Sequence, residues 1–318
     1  MQILDNISLE KLSILEKKEY YKKIREECLM KKDNQVQIGQ NIIKSIYPFL
    51  RKYKVEIQGD ENIPKDSNVL FVVNHSNSHD IFNAYEVLSL LDRKGSVMVA
   101  TDCLNPITVE IFNVSNATLL DRRNREDRYN SIVSLSKKIL SGKDGVIFGE
   151  GTWNLHPILP MHNIKCGSSK ISAITQVPII PTIFEYVEND GLFIKDSELF
   201  KKCVIRFGKP IVFNYNESLI DNTNKVKDSM VVTRKQIWND FNINKKSINE
   251  IDPEIYINHT YAKKFKALGF TYDSKKEQEF LLFLGNEKKE NEYTIDDDGI
   301  LKPGITEKNK KLRKILYK

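Results

Sequence analysis

Two short runs hold the residue types that could do chemistry. Asn74-His75-Ser76-Asn77-Ser78-His79-Asp80 places a histidine and a carboxylate at a fixed spacing, and Phe148-Gly149-Glu150-Gly151-Thr152-Trp153-Asn154 offers a carboxylate flanked by glycines. A carboxylate on one imidazole nitrogen fixes the tautomer and raises the basicity of the other, which makes a general base for a hydroxyl. Other uses of the same residues stay open. Asp80 can favour a helix N-terminus by its charge, with His75 a satisfied polar residue at a strand end. His75 and His79, four apart, with Asp80 could ligate a metal, although His75 precedes the expected helix and no further Cys or His cluster lies near.

These residues need elements to position them. Asn68 to Val73 is a β-branched and aromatic run with the length and flanks of a buried strand. From Asp80 to Leu91, Ile81, Ala84, Tyr85, Leu88 and Leu91 recur at helical spacing, with Ser76, Asn77 and Ser78 as candidate N-caps. His75 therefore falls at the carboxyl end of a strand, where ligands gather in α/β folds. Further strands are expected over Val55–Gln58, Ser96–Ala100, Ala117–Leu120, Gly145–Phe148, Ile179–Phe184 and Cys203–Phe207, with helices at Asn130–Leu140 and Ser168–Gln176 between them. Such alternation predicts an α/β domain over residues 54–215, a mixed, largely parallel sheet flanked by helices.

Residues 1–53 read as an amphipathic helical segment: Leu12, Leu15, Ile24 and Cys28 alternate with lysines, and Ile42, Ile43, Ile46, Tyr47 and Leu50 form a second apolar face. Packing on the parent domain explains such faces, and so does a seat in a membrane interface. Residues 216–318 read as a polar, partly helical extension with a helix from Lys225 to Phe241, an apolar island at Phe280–Leu284 and a basic tail from Lys308. Asp296-Asp297-Asp298-Gly299 lacks the ligand spacing of a calcium loop.

Composition narrows the class. The net charge of +6 comes mostly from lysine in a chain also rich in Asn and Ile, and suits anionic lipid, phosphate or an acidic carrier protein; no nucleic-acid-binding module is recognisable. Cys28, Cys103, Cys166 and Cys203 form no paired motif, so a reducing compartment is expected. No apolar run approaches the ~20 residues that span a bilayer, and no signal peptide opens the chain. A cytoplasmic protein, peripheral at the membrane, is expected.

Four blocks in order resemble the glycerolipid acyltransferase family, typified by 1-acylglycerol-3-phosphate O-acyltransferase: Asn74-His75 with Asp80, Leu120-Asp121-Arg122, Phe148-Gly149-Glu150-Gly151-Thr152, and Val177-Pro178-Ile179-Ile180-Pro181-Thr182. The lead-in Val55 to Pro64 is similar too. The resemblance implies that His75 is the general base, oriented by Asp80, that deprotonates an acceptor hydroxyl for attack on an acyl thioester, from acyl-CoA or an acyl carrier protein, with no cofactor and no metal. It implies that Arg122 helps bind the acceptor phosphate, that Glu150, Gly151 and Thr152 shape the acceptor site, and that Asn74 belongs to the same site. The default acceptor is a lysophospholipid such as 1-acylglycerol-3-phosphate.

Two departures bear on that acceptor. The third block usually reads Phe-Pro-Glu-Gly-Thr-Arg-Ser, whereas here Gly149 replaces the proline, expected to loosen the turn, and Trp153-Asn154 replace Arg-Ser. The missing arginine removes a phosphate ligand, for which Arg123, Arg125 or Lys165 could compensate, while Trp153 could stack on a sugar or line an apolar channel. The competing expectations are therefore an acyltransferase for another hydroxyl acceptor and a non-catalytic lipid-binding relative.

Overall fold

The computed structural model describes residues 4, 6–30, 38–51, 53–76, 79–101, 111–112, 115–122, 124–151, 154, 160–188, 200–243, 294–295 and 301–302. Among them, one sheet contains β1 (Lys54–Gln58), β2 (Leu70–Val73), β3 (Gly95–Ala100), β4 (Thr118–Leu120), β5 (Asp144–Phe148), β6 (Ile179–Glu188) and β7 (Phe200–Phe207). The strand order is β1-β7-β6-β2-β5-β3-β4, and every pairing is parallel except β6 with β7. This is the mixed, largely parallel α/β sheet that the alternating pattern predicts. A separate two-stranded pair joins β8 (Thr294–Ile295) to β9 (Leu301–Lys302). The apolar island, Asp296 to Gly299 and the basic tail lie outside the described residues.

β2 is buried along its whole length because both of its faces are covered. Leu70 and Val72 face one apolar layer, and Phe71 and Val73 face the other, as the period of two in a strand requires. Onto the Leu70 side pack α2 (Ile14–Met30) through Tyr21, Ile24 and Cys28, α5 (Arg125–Leu140) through Ile132, Leu135 and Ile139, α6 (Gly167–Thr175) through Ile171 and Ile174, and α7 (Leu219–Asp240) through Val226 and Met230. The short α1 (Asn6–Glu10) adds Leu9 to this layer. Onto the Phe71 side pack α3 (Ile38–Leu50) through Ile43 and Tyr47, and α4 (Asp80–Leu90) through Ala84, Tyr85 and Leu88. The apolar faces of α2 and α3 thus each have an inner half that packs on the domain. On α3, Ile42, Ile46 and Phe49 point outward and are exposed.

Several element ends differ from the sequence expectation, each for a local reason. The last helix begins at Leu219 rather than Lys225, because the Ser218 hydroxyl accepts from the Asp221 amide at 2.9 Å and donates to its carboxylate at 2.6 Å. α5 begins at Arg125 rather than Asn130, where the Asn124 side chain accepts from the amides of Glu126 and Asp127. β6 runs to Glu188 rather than Phe184, because its antiparallel pairing with β7 continues through Val187 with Lys202. Tyr186 is thereby placed in the sheet.

Candidate active site

β2 lies between β5 and β6, both parallel to it, and the chain leaves it at Asn74 on the carboxyl edge of these three strands. The buried Asn74 amide completes the edge: its Oδ1 accepts from the Phe184 amide at 2.7 Å and its Nδ2 donates to the Phe184 carbonyl at 3.1 Å. Both ends of this side chain are engaged by backbone, so Asn74 holds the turn that carries His75.

The His75 ring stacks on Phe148 at the end of β5, with centroids 4.3 Å apart, and its Nδ1 is 2.9 Å from Asp80 Oδ2. Asp80 is fully buried and opens α4. His79, rather than Ser76, is the N-cap residue and makes no side-chain cap bond, and Asn77 and Ser78 lie outside the described residues. The Asp80 carboxylate instead turns back over the helix start, where Oδ2 also accepts from the Ser76 amide at 2.8 Å and Oδ1 accepts from the Tyr186 hydroxyl at 2.6 Å. The charge therefore sits at the positive end of α4 and on the imidazole at once. His79 Nδ1 is 3.0 Å from the Tyr47 hydroxyl, and its ring lies edge-on to Tyr53. Among the described residues, no group of three or more His, Cys, Asp or Glu side chains could hold a metal ion.

Glu150 is the second buried carboxylate, and its partners are backbone. Oε1 accepts from the His75 amide at 3.1 Å and Oε2 from the His162 amide at 2.7 Å. Burial pushes its carboxyl up to about 7, against the pull of those two amides. The Asn154 amide donates to the His75 carbonyl at 2.5 Å, so both backbone polar groups of His75 are tied to the third block. His162 is itself buried, and burial lowers its pKa to about 3, so the ring is neutral at physiological pH.

Gly149 is a packing requirement rather than a loosened turn. Its amide donates to the Val73 carbonyl at 2.9 Å, extending the β2–β5 ladder by a bond that proline lacks. A Cβ at Gly149 would also stand 2.8 Å from Val72 Cγ1. Gly151 has φ +65°, a left-handed conformation that favours glycine. Its carbonyl accepts from Arg122 Nη1 at 2.5 Å, which draws the second block onto the third. The stem of Lys165 lies over the same residue, with its Cγ 3.5 Å from where a Gly151 Cβ would be, while its amide bonds the Gly149 carbonyl at 2.8 Å. Arg122 and Lys165 thus bring two cations to Gly151. Arg123, Thr152 and Trp153 lie outside the described residues. Arg125 stacks over Tyr129 on α5.

The fourth block shapes the sheet. Pro181, opposite Val72 on β2, stands one residue before pairing with β7 begins at Thr182, so β7 requires no donor from it. Tyr186 and Asn83, which complete the surroundings of Asp80, are missing from the sequence-derived site. An Asn on the apolar face of α4 and a Tyr two residues past the expected Ile179–Phe184 strand were the available signals.

With this geometry in place, residues 54–185 match the model of the acyltransferase family. The matched segment contains all four blocks that resemble the glycerolipid acyltransferases. Among solved structures, the chain is similar to the 1-acyl-sn-glycerophosphate (LPA) acyltransferase PlsC from Thermotoga maritima, at 18% identity over 73% of this chain and 86% of that one, with a TM-score of 0.46. The comparison with curated proteins finds no match.

Proposed function

We propose that the protein transfers a fatty acyl group from an acyl thioester, acyl-CoA or acyl carrier protein, to the hydroxyl of a lysophospholipid such as 1-acylglycerol-3-phosphate. The observation that carries this reading is the His75 Nδ1 to Asp80 Oδ2 contact of 2.9 Å at the carboxyl edge of β2. With Nδ1–H donated to Asp80, the lone pair lies on Nε2, which takes the proton of the acceptor hydroxyl. The oxygen attacks the thioester carbonyl, the tetrahedral oxyanion collapses, the carbon–sulfur bond breaks, and the imidazolium returns its proton to the departing thiolate. No covalent acyl-enzyme is needed.

Arg122 and Lys165, meeting at Gly151, favour a phosphate-bearing acceptor. A guanidinium is the better fit to a phosphate, and a cation from another block replaces the arginine that Trp153 displaces. Access to a lipid acceptor calls for a membrane surface, and the exposed Ile42, Ile46 and Phe49 on α3 supply an apolar face for one. Among the described residues, no helix is long and apolar enough to cross a membrane.

The test is product identification. Purified protein is incubated with palmitoyl-CoA or palmitoyl-acyl carrier protein and a panel of lysophosphatidic acid, other lysophospholipids and glycolipids, and the products are read by mass spectrometry. A diacyl product from lysophosphatidic acid is expected. A product only from an uncharged acceptor would remove the phosphate from the reading, and no product with any pair would favour a lipid-binding relative.

A further inference from the structure

Behind the His75–Asp80 pair runs a buried line of hydrogen bonds from α3 to the carboxylate. The Tyr47 and Tyr53 hydroxyls are 2.8 Å apart, Tyr53 donates to Asn83 Oδ1 at 2.9 Å, Asn83 Nδ2 is 2.8 Å from the Tyr186 hydroxyl, and that hydroxyl is 2.6 Å from Asp80 Oδ1. Asn83 is fully buried, and its Nδ2 also lies 3.7 Å from Cys203 Sγ.

Proton counting gives the line a direction. An ionised Asp80 only accepts, so the single Tyr186 proton must lie on Oδ1. The Tyr186 oxygen then has to accept from Asn83, which fixes Nδ2 toward Tyr186 and Oδ1 toward Tyr53. A flipped amide would present two acceptors to one phenolic proton. The Tyr53 proton is thereby committed to Asn83, Tyr47 donates to Tyr53, and the His79 Nδ1–H donates to Tyr47. Every proton in the line points toward Asp80. Burial also pushes Tyr186 well above the usual phenol range, which keeps its proton in place.

We infer that Tyr186 is a positioning residue for the His75–Asp80 pair, with its phenolic proton directed onto Asp80 by the amide of Asn83. Oδ1 is anchored by Tyr186, so Oδ2 is left to the Ser76 amide and the imidazole, and the ring is held with Nδ1 protonated and Nε2 bearing the lone pair. The inference rests on the acyl-transfer reading for its catalytic consequence, and on geometry alone for the state of the ring.

The test separates the two. The full chain is labelled with ¹⁵N-histidine, and the signal of His75, one of five histidines, is assigned by its loss in His75→Gln. In the wild type, His75 at neutral pH is expected as the Nδ1–H tautomer with a strongly downfield Nδ1 proton. Tyr186→Phe should move that proton upfield and populate the Nε2–H tautomer. In the transfer assay kcat should fall roughly ten- to 150-fold, as loss of a hydrogen bond to a charged group implies, with KM within twofold. Tyr53→Phe, one bond further from Asp80, should change the same signals in the same sense but less. A folded Tyr186→Phe protein with an unchanged His75 tautomer and Nδ1 proton would overturn the inference, whatever the activity. A wild type with the expected tautomer but no transfer would instead count against the acyl-transfer reading.

Discussion

Asp80 and Glu150 are buried carboxylates that both bond to His75, one at its ring and the other at its backbone. Among the described residues, Asp80 collects side-chain donors that hold protons, the imidazole and a phenol, together with the Ser76 amide. Glu150 collects the amides of His75 and His162, and so ties the loop after β2 to the loop after β5. The difference shows how two acids a short distance apart divide the work of a site. A carboxylate aimed at a side chain sets a proton's position, whereas one aimed at amides sets a loop's position. Substitution at Asp80 should therefore be read in turnover, and substitution at Glu150 in stability.

The sharpest way to break that division is Asp80→Asn. The amide keeps the volume but meets the imidazole with the wrong complement of donors, so the wrong tautomer is favoured, and kcat should drop roughly 10²- to 10⁴-fold. Thermal unfolding followed alongside should change far less in proportion. A variant that unfolds but retains turnover when folded would reverse the roles assigned here.

Glu150→Gln sharpens the other half through pH. With its carboxyl raised in the fold from 4.5 to about 7, Glu150 contributes stability that is fully present below pH 4.5 and lost as pH rises through 7. The loss is on the order of 3 kcal/mol. Gln does not titrate, and its amide nitrogen faces one backbone N–H, so the variant should be less stable than the wild type near pH 5. The gap should then narrow by up to that amount by pH 8, read from denaturant unfolding at the two pH values. A gap independent of pH would remove Glu150 as the titrating group.

The smallest effect belongs to the rim. Arg122→Lys keeps the charge but loses the fork that reaches the Gly151 carbonyl, so KM for lysophosphatidic acid should rise roughly tenfold with kcat nearly unchanged. An acceptor without phosphate should show little change in KM.

The half of this comparison centred on Asp80 was legible in the chain. A histidine and an aspartate five residues on, with the apolar run Leu70–Val73 before them and helical spacing after, placed the pair at a strand end. Its anchor was not legible. Tyr186 lies 106 residues from Asp80 and meets it only because β6 pairs beside β2, which no local pattern encodes. The role of Glu150 was equally hidden, because its partners are amides of His75 and His162 and backbone groups look alike in any sequence. Gly149 misled for a related reason: its lack of a side chain reads as freedom, whereas Val72 and Ile164 close around it. The Lys/Asn-rich composition beyond residue 215 masked the start of α7, which Ser218 and Asp221 fix by a local cap.

The account turns on His75 as the base that activates the acceptor. The most direct test is continuous thiol release from palmitoyl-CoA by the purified wild type and His75→Ala, with lysophosphatidic acid present or withheld and folding checked by circular dichroism. Acceptor-dependent release by the wild type, reduced at least a hundredfold in the folded variant, is the expected result. Release by folded His75→Ala above a tenth of the wild-type rate would contradict the account.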